Sequence, residues 1–234
     1  MDNQKQVTTL PAEESSALVE RVIALPPCIR VPLSLAHDPA LAPWDWRIIT
    51  GLLIFANNKG HTWPSRRTLA AALGLPDNDW PRSFYARLRG VPRRRQDGRT
   101  FYLIAPDPDG HCSWLPNSIC RWQLTATGWR ILIALQYVCL SDALSADPGH
   151  DPQGPLEISP HHYQRILQHA GFNDTKNQRL RYVRRAFDEF TEHGWLEDGD
   201  YVGAYFLQLP KPISKIVVSD TAKRYCKNAW LKVA

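Results

Sequence analysis

The chain has 234 residues, 44% apolar and 22% charged, with a net charge of +5. That balance fits a globular protein and excludes a disordered, collagenous or disulfide-scaffold chain. The longest apolar run, Ile131–Leu140, is broken by Gln136 and falls short of the roughly 18 residues of a membrane span. Residues 1–20 carry four acids and one lysine with no apolar leader-type stretch, so a cytoplasmic protein with no membrane partner is expected.

The charge is concentrated. Between Trp63 and Tyr102 nine arginines stand against three acids, and between Lys176 and Arg185 five basic residues stand against none. The remainder is acidic, a pattern that points to a polyanionic partner and not to a uniformly sticky surface. The five cysteines (Cys28, Cys112, Cys120, Cys139, Cys226) are odd in number and form no C-x-x-C pair, which predicts reduced thiols. His111, Cys112 and Cys120 offer three zinc-type ligands, but no fourth lies at a suitable spacing, so neither a metal nor another cofactor is expected.

In chain order, residues 1–30 read as a polar tail with a short amphipathic stretch, Ala17–Leu25, closed by Pro26-Pro27. A first unit, 31–110, opens on a helix from Pro43 whose Trp44, Ile48, Ile49, Leu52, Leu53 and Phe55 recur at helical spacing up to Asn57–Gly60. Ser65 caps a helix 66–73 with Leu69 and Leu73 inward and Gly74 as its stop. After the turn Pro76–Asp79 a helix over about 80–89 puts Trp80, Phe84 and Leu88 on one face, and Pro92–Ile104 forms a hairpin around Gln96-Asp97-Gly98. Pro106–Asn117 is a polar, proline-rich connection.

The same order returns in a second unit, 111–212. Thr125–Leu140 is an apolar helix, Leu156–Ile158 a short strand, and Ser159 caps a helix 160–170 ending at Gly171. Helix 176–193 carries a Leu180, Val183, Phe187, Phe190 stripe, and Trp195–Leu209 is a hairpin around Asp198-Gly199. Residues 213–234 read as a basic tail. Two divergent copies of one unit, displaced by about a hundred residues, explain the recurrence. The expected fold is α+β, mainly α: two tandem winged helix-turn-helix domains.

Two helices at a tight turn followed by a hairpin put the second helix in a major groove. Opposite the stripe of helix 176–193 lie Gln178, Arg181 and Arg185, flanked by Asn177, Tyr182 and Arg184. Arginine pairs bidentately with guanine, and asparagine or glutamine with adenine. In the first unit the same reasoning turns out Arg82 and Arg89 with Ser83 and Tyr85 beside them, and adds Ser65 and Arg67 at the preceding helix start. Arg93, Arg94, Arg95 and Arg99 suit the first hairpin to phosphate contacts or minor-groove insertion, whereas Glu197, Asp198 and Asp200 make the second one acidic.

Trp63-Pro-Ser-Arg-Arg-Thr-Leu-Ala-Ala-Ala-Leu-Gly74, after Ala56–Gly60, resembles helix-turn-helix domains of phage and plasmid replication proteins. Leu115-Pro116-Asn117, Thr125–Leu140, Arg181–Trp195 and Leu209–Pro212 are similar to the carboxyl-terminal winged helix of IncQ-type plasmid initiators. The resemblance implies a replication initiator that binds directly repeated double-stranded DNA sites, recruits host helicase machinery and can self-associate. The rival expectations are a winged-helix transcriptional repressor and a subunit of a larger nucleoprotein or defence complex. No P-loop is present, and His161-His162-Tyr163 lacks the alternating histidines of a metal-dependent nickase, so no catalytic residue is expected.

Overall fold

The computed structural model describes residues 18–57, 60–76, 82–96, 99–105, 107, 109–172, 176–199 and 202–221. The chain starts with β1 (Leu18–Ala24), then β2 (Cys28–Pro32), a 3-10 turn (Leu33–His37), α1 (Pro43–Leu53), β3 (His61–Thr62), α2 (Arg66–Ala72), α3 (Arg82–Gly90), β4 (Arg93–Gln96) and β5 (Arg99–Leu103). It continues with β6 (Cys112–Pro116), a second 3-10 turn (Asn117–Arg121), α4 (Ala126–Ala146), β7 (Leu156–Ile158), α5 (His162–His169), α6 (Lys176–Glu192), β8 (Leu196–Asp198), β9 (Tyr205–Leu207) and β10 (Lys215–Thr221). The fold is α+β, with small antiparallel sheets. No helix among the described residues is long and apolar enough to cross a membrane.

Local chemistry sets the element ends. The Ser65 hydroxyl accepts the Thr68 N–H at 3.1 Å and the Thr125 hydroxyl accepts the Gly128 N–H at 3.0 Å, so each side chain satisfies an orphan donor of its helix. Gly74 and Gly171, with φ of +69° and +70°, close α2 and α5 in the left-handed region that a side chain would strain.

From β2 to β5 and again from β6 to β9 the order is the same: strand, 3-10 turn, helix, strand, two helices, hairpin. In both copies the strand before the helix pair joins the hairpin's second strand, giving sheet orders β3-β5-β4 and β7-β9-β8. The repeat legible in the sequence therefore extends one strand and one turn further upstream in each copy.

The copies are interlocked. Strand β2 pairs antiparallel with its equivalent β6, in a register where Cys28 faces Pro116, Arg30 faces Trp114 and Pro32 faces Cys112. The first 3-10 turn packs on α4 and the second on α1. Equivalent Trp46 and Trp129, both fully buried, stack with ring centroids 6.1 Å apart. Reciprocal contacts of this kind define an approximate two-fold axis, as at an isologous dimer interface.

Several expectations are corrected here. Residues 18–24 and 215–221, read as parts of polar tails, pair along their length as a β1–β10 ribbon, with Leu25, Ile216 and Val218 buried beneath it. Residues 1–17 and 222–234 lie outside the described residues. The Pro106–Asn117 stretch is no linker: 112–116 are a strand, and the buried Asn117 amide donates to the Pro26 and Ile213 carbonyls while its Oδ1 accepts the Ile213 N–H. The 31–110 and 111–212 units thus share one core instead of forming separate domains. Leu180, assigned to the core stripe, is 44% exposed; α6 overhangs the core at its start, and Ala186 takes the inward place with Val183, Phe187 and Phe190.

Candidate nucleic-acid interface

In α3 the buried Phe84 and Leu88 fasten one face to the core and leave Arg89 exposed in the last turn. Arg87, on the same helix, bonds to Asp45 of α1 at 3.1 Å and so holds α3 against the first helix. In α6 the buried Val183, Ala186, Phe187 and Phe190 orient the opposite side outward, and Arg181, Arg184 and Arg185 are all exposed. Tyr182 departs from the expected reading face: it is half-buried with its ring stacked on Phe172, centroids 4.4 Å apart, because α6 rotates that edge toward the end of α5. Ser65 is exposed with its hydroxyl engaged in the cap of α2, and Arg67 is half-buried. The side chains of Arg82, Ser83, Tyr85, Arg99, Asn177 and Gln178 lie outside those described.

The wing arginines divide between two faces. Arg93 stands opposite Tyr102 and Arg95 opposite Thr100, whereas Arg94 stands opposite Phe101. Side chains alternate along a strand, so Arg93 and Arg95 share the face of the buried Tyr102, and Arg94 belongs to the outer face. Burial raises the Tyr102 phenol above its ordinary range, opposed by Arg66 and Arg93. Arg66, at the start of α2, and Arg93, on β4, thus both act on the Tyr102 hydroxyl. Arg66 is absent from the residues expected at the interface, and its place directly after the Ser65 cap is its signal in the sequence.

In the second unit Glu197 and Asp198 of β8 are exposed, giving this hairpin the negative character its sequence implies; Asp200 lies outside the described residues. Comparison with protein-family models, curated proteins and solved structures finds no match to this chain.

Ser159 Oγ lies 3.2 Å from His162 Nδ1, and His162 Nε2 lies 3.2 Å from Asp142, a Ser–His–Asp alignment that the sequence does not reveal. His162 Nδ1 already accepts the Ser159 backbone N–H at 3.0 Å, Ser159 is 1% exposed, and Arg165 holds the same Asp142 oxygen at 2.6 Å. With its lone pair engaged, the imidazole has no free base function toward the hydroxyl. The group is a clasp that fixes the start of α5 to α4. Partial burial disfavours ionisation of Asp142, yet Arg165 and His162 together hold its carboxyl below the ordinary range.

Asp142 with His161 and His162, and Asp107 with Asp109 and His111, bring ligand-type atoms close together. In the second group Asp107 accepts the backbone N–H groups of Ser34, Asp109 and His111, which accounts for its position as a turn-forming residue. Of the zinc-type trio from the sequence, Cys112 Sγ accepts from Arg30 Nε at 3.4 Å, and buried Cys120 donates toward the Asn117 and Ala72 carbonyls. Burial pushes the Cys120 thiol up to about 12, which keeps it from acting as a thiolate.

Proposed function

We propose that the protein binds double-stranded DNA sequence-specifically through two winged helix-turn-helix units, and that it serves as a plasmid or phage replication initiator. The observation that carries the reading is common to both copies: the second helix of the pair fills the core with one face and leaves arginines in solvent on the other, Arg89 on α3 and Arg181, Arg184 and Arg185 on α6. Arg181, Arg184 and Arg185 suit base edges and adjacent phosphates. Arg93 and Arg95 supply sequence-independent phosphate contacts from the first wing, while the acidic second hairpin stays clear of the backbone. The initiator role rests on the resemblance of Trp63–Gly74 and of the second unit to plasmid and phage initiators, with host helicase machinery as the further partner.

The approximate two-fold axis refines the expected site. Two reading helices related by such an axis meet their subsites in opposite orientations, one helical turn apart if both enter successive grooves on one DNA face, about 10 base pairs. An initiator of this build binds direct repeats of a site that is itself made of two inverted, unequal halves. Footprinting the DNA that flanks the gene tests this: repeated protected sites support an initiator, a single palindrome a repressor, and no protection at low salt removes the DNA reading.

A further inference from the structure

The outer faces of the two three-stranded sheets are equivalent in position and opposite in charge. In the second unit Glu157, Phe206 and Glu197 stand side by side across β7, β9 and β8, pointing away from the core that Leu156, Leu196 and Leu207 fill. At the matching places in the first unit, Arg94 pairs with Phe101 across β4 and β5, and Trp63 follows β3 with its ring 5.7 Å from Phe101. A phenylalanine thus occupies the centre of both faces, flanked by two glutamates in one and by an arginine and a tryptophan in the other. Glu157, Glu197 and Arg94 are exposed, Phe101 and Phe206 are half-buried, and Trp63 is 49% exposed.

We propose that these faces bind each other between two copies of this chain, the Trp63–Phe101–Arg94 face of one seated on the Glu157–Phe206–Glu197 face of the next. The two faces are complementary. Each face has an apolar centre that gains from leaving water, and the rims carry opposite charge, which sets the register and disfavours pairing like with like. A lone exposed tryptophan is unremarkable; one beside an arginine whose positional counterpart is a glutamate is matched to it. The contact joins two different patches, so it is heterologous. Each added copy leaves one face of either kind open, and assembly grows in a row. For an initiator on direct repeats, neighbouring copies would bind cooperatively; that consequence alone rests on the DNA reading, whereas the contact itself does not.

The test is sedimentation velocity of the full chain without DNA, at low salt, over about 1 to 100 μM, since screening weakens such rims. The expected result is an average mass that rises with concentration and falls when salt is added. Arg94→Glu and Glu197→Arg each weaken association by about tenfold or more, and the two together in one chain restore it to within about threefold. Both positions are exposed, and unchanged circular dichroism verifies that the variants fold. A wild-type chain that stays monomeric throughout, single variants that associate like wild type, or a double variant without recovery overturns the proposal. So does a monomeric chain whose Trp63 instead crosslinks to a single-stranded oligonucleotide. A wild-type chain that binds DNA without self-associating counts against this inference alone, and one that self-associates without binding DNA counts against the DNA reading alone.

Discussion

Arg47 and Arg130 hold equivalent places one residue after the stacked tryptophans, and each ties its own unit to the other. Arg47 donates to the Cys120 carbonyl at 3.0 Å and the Leu73 carbonyl at 3.1 Å; Arg130 donates to the Ala36 carbonyl at 2.8 Å and the Ala170 carbonyl at 2.8 Å. In both cases one acceptor closes the 3-10 turn of the opposite unit, and the other closes the helix after the Arg's own long helix. Each guanidinium also lies on an aromatic ring, Trp44 at 4.4 Å and Phe172 at 4.0 Å.

Arg47 is only 5% exposed, and burial lowers its pKa below the ordinary arginine range, so it stands as a desolvated cation held by carbonyl dipoles. Arg47→Ala strands two buried carbonyls and is expected to cost about 2–3 kcal/mol in urea unfolding. Because the units share these bonds and one core, wild type and variant should both unfold in a single transition by fluorescence and circular dichroism alike. Two separated transitions would show that the units fold independently.

The reading helix and the wing should differ in kind. Arg181→Ala is expected to cost about 1–3 kcal/mol at the cognate site and little on random DNA, whereas Arg95→Ala should weaken both to the same degree. With six to nine phosphate contacts, log affinity should fall with log salt at a slope of roughly −5 to −8. Fluorescence anisotropy titrations at several salt concentrations measure all three, and a flat salt response would sink the assignment.

Subsite geometry offers another check. Reversing one half of the protected site at constant spacing should lower affinity by at least tenfold, as should inserting about five base pairs, which turns one half to the far side of the duplex. The strand 112–116 and the anchored Asn117 leave the two units no slack to follow. Equal affinity for the reversed and native sites would contradict reading about a two-fold axis.

Mild acid should destabilise the protein through His162 and His169. Burial and then the neighbouring His161 lower His162 below 6.5, against the opposing pull of Asp142; burial, then Arg165, His37 and His111, lower His169. A base whose folded pKa lies below its unfolded value leaves the unfolded chain binding more protons. Its stability contribution is therefore complete above about 6.5 and is lost as pH falls through the folded value. Urea midpoints between about pH 7.5 and about pH 5.5 should drop, and His169→Gln should flatten that slope. An unchanged slope in the variant would exclude His169 as a contributor.

Much of the helical skeleton was legible because it is written locally. Ser65, Gly74, Gly171 and Gly194 mark helix ends through capping and φ, and Phe84 with Leu88 or Val183 with Phe187 declare their buried faces by spacing alone. What escaped depends on contacts between distant segments. Residues 18–24 resemble a tail until paired with residues 215–221, and Asn117 resembles a linker residue until Pro26 and Ile213 surround its amide. Leu180 and Tyr182 exchange expected roles because periodicity gives a helix its faces but not the point at which the core ends. The division of the wing arginines required the strand register, which a run of three identical residues conceals.

The β1–β10 ribbon closes the molecule into a ring. Leu18 stands opposite Thr221, so the chain departs and returns at one place. Joining these strands by a short turn and opening the backbone instead within the exposed loop between α4 and β7, residues 147–155, keeps every strand pair and both arginine ties. The gene can therefore be circularly permuted there without altering the core, and labels attached at Leu18 and at Thr221 will report on the same corner of the protein.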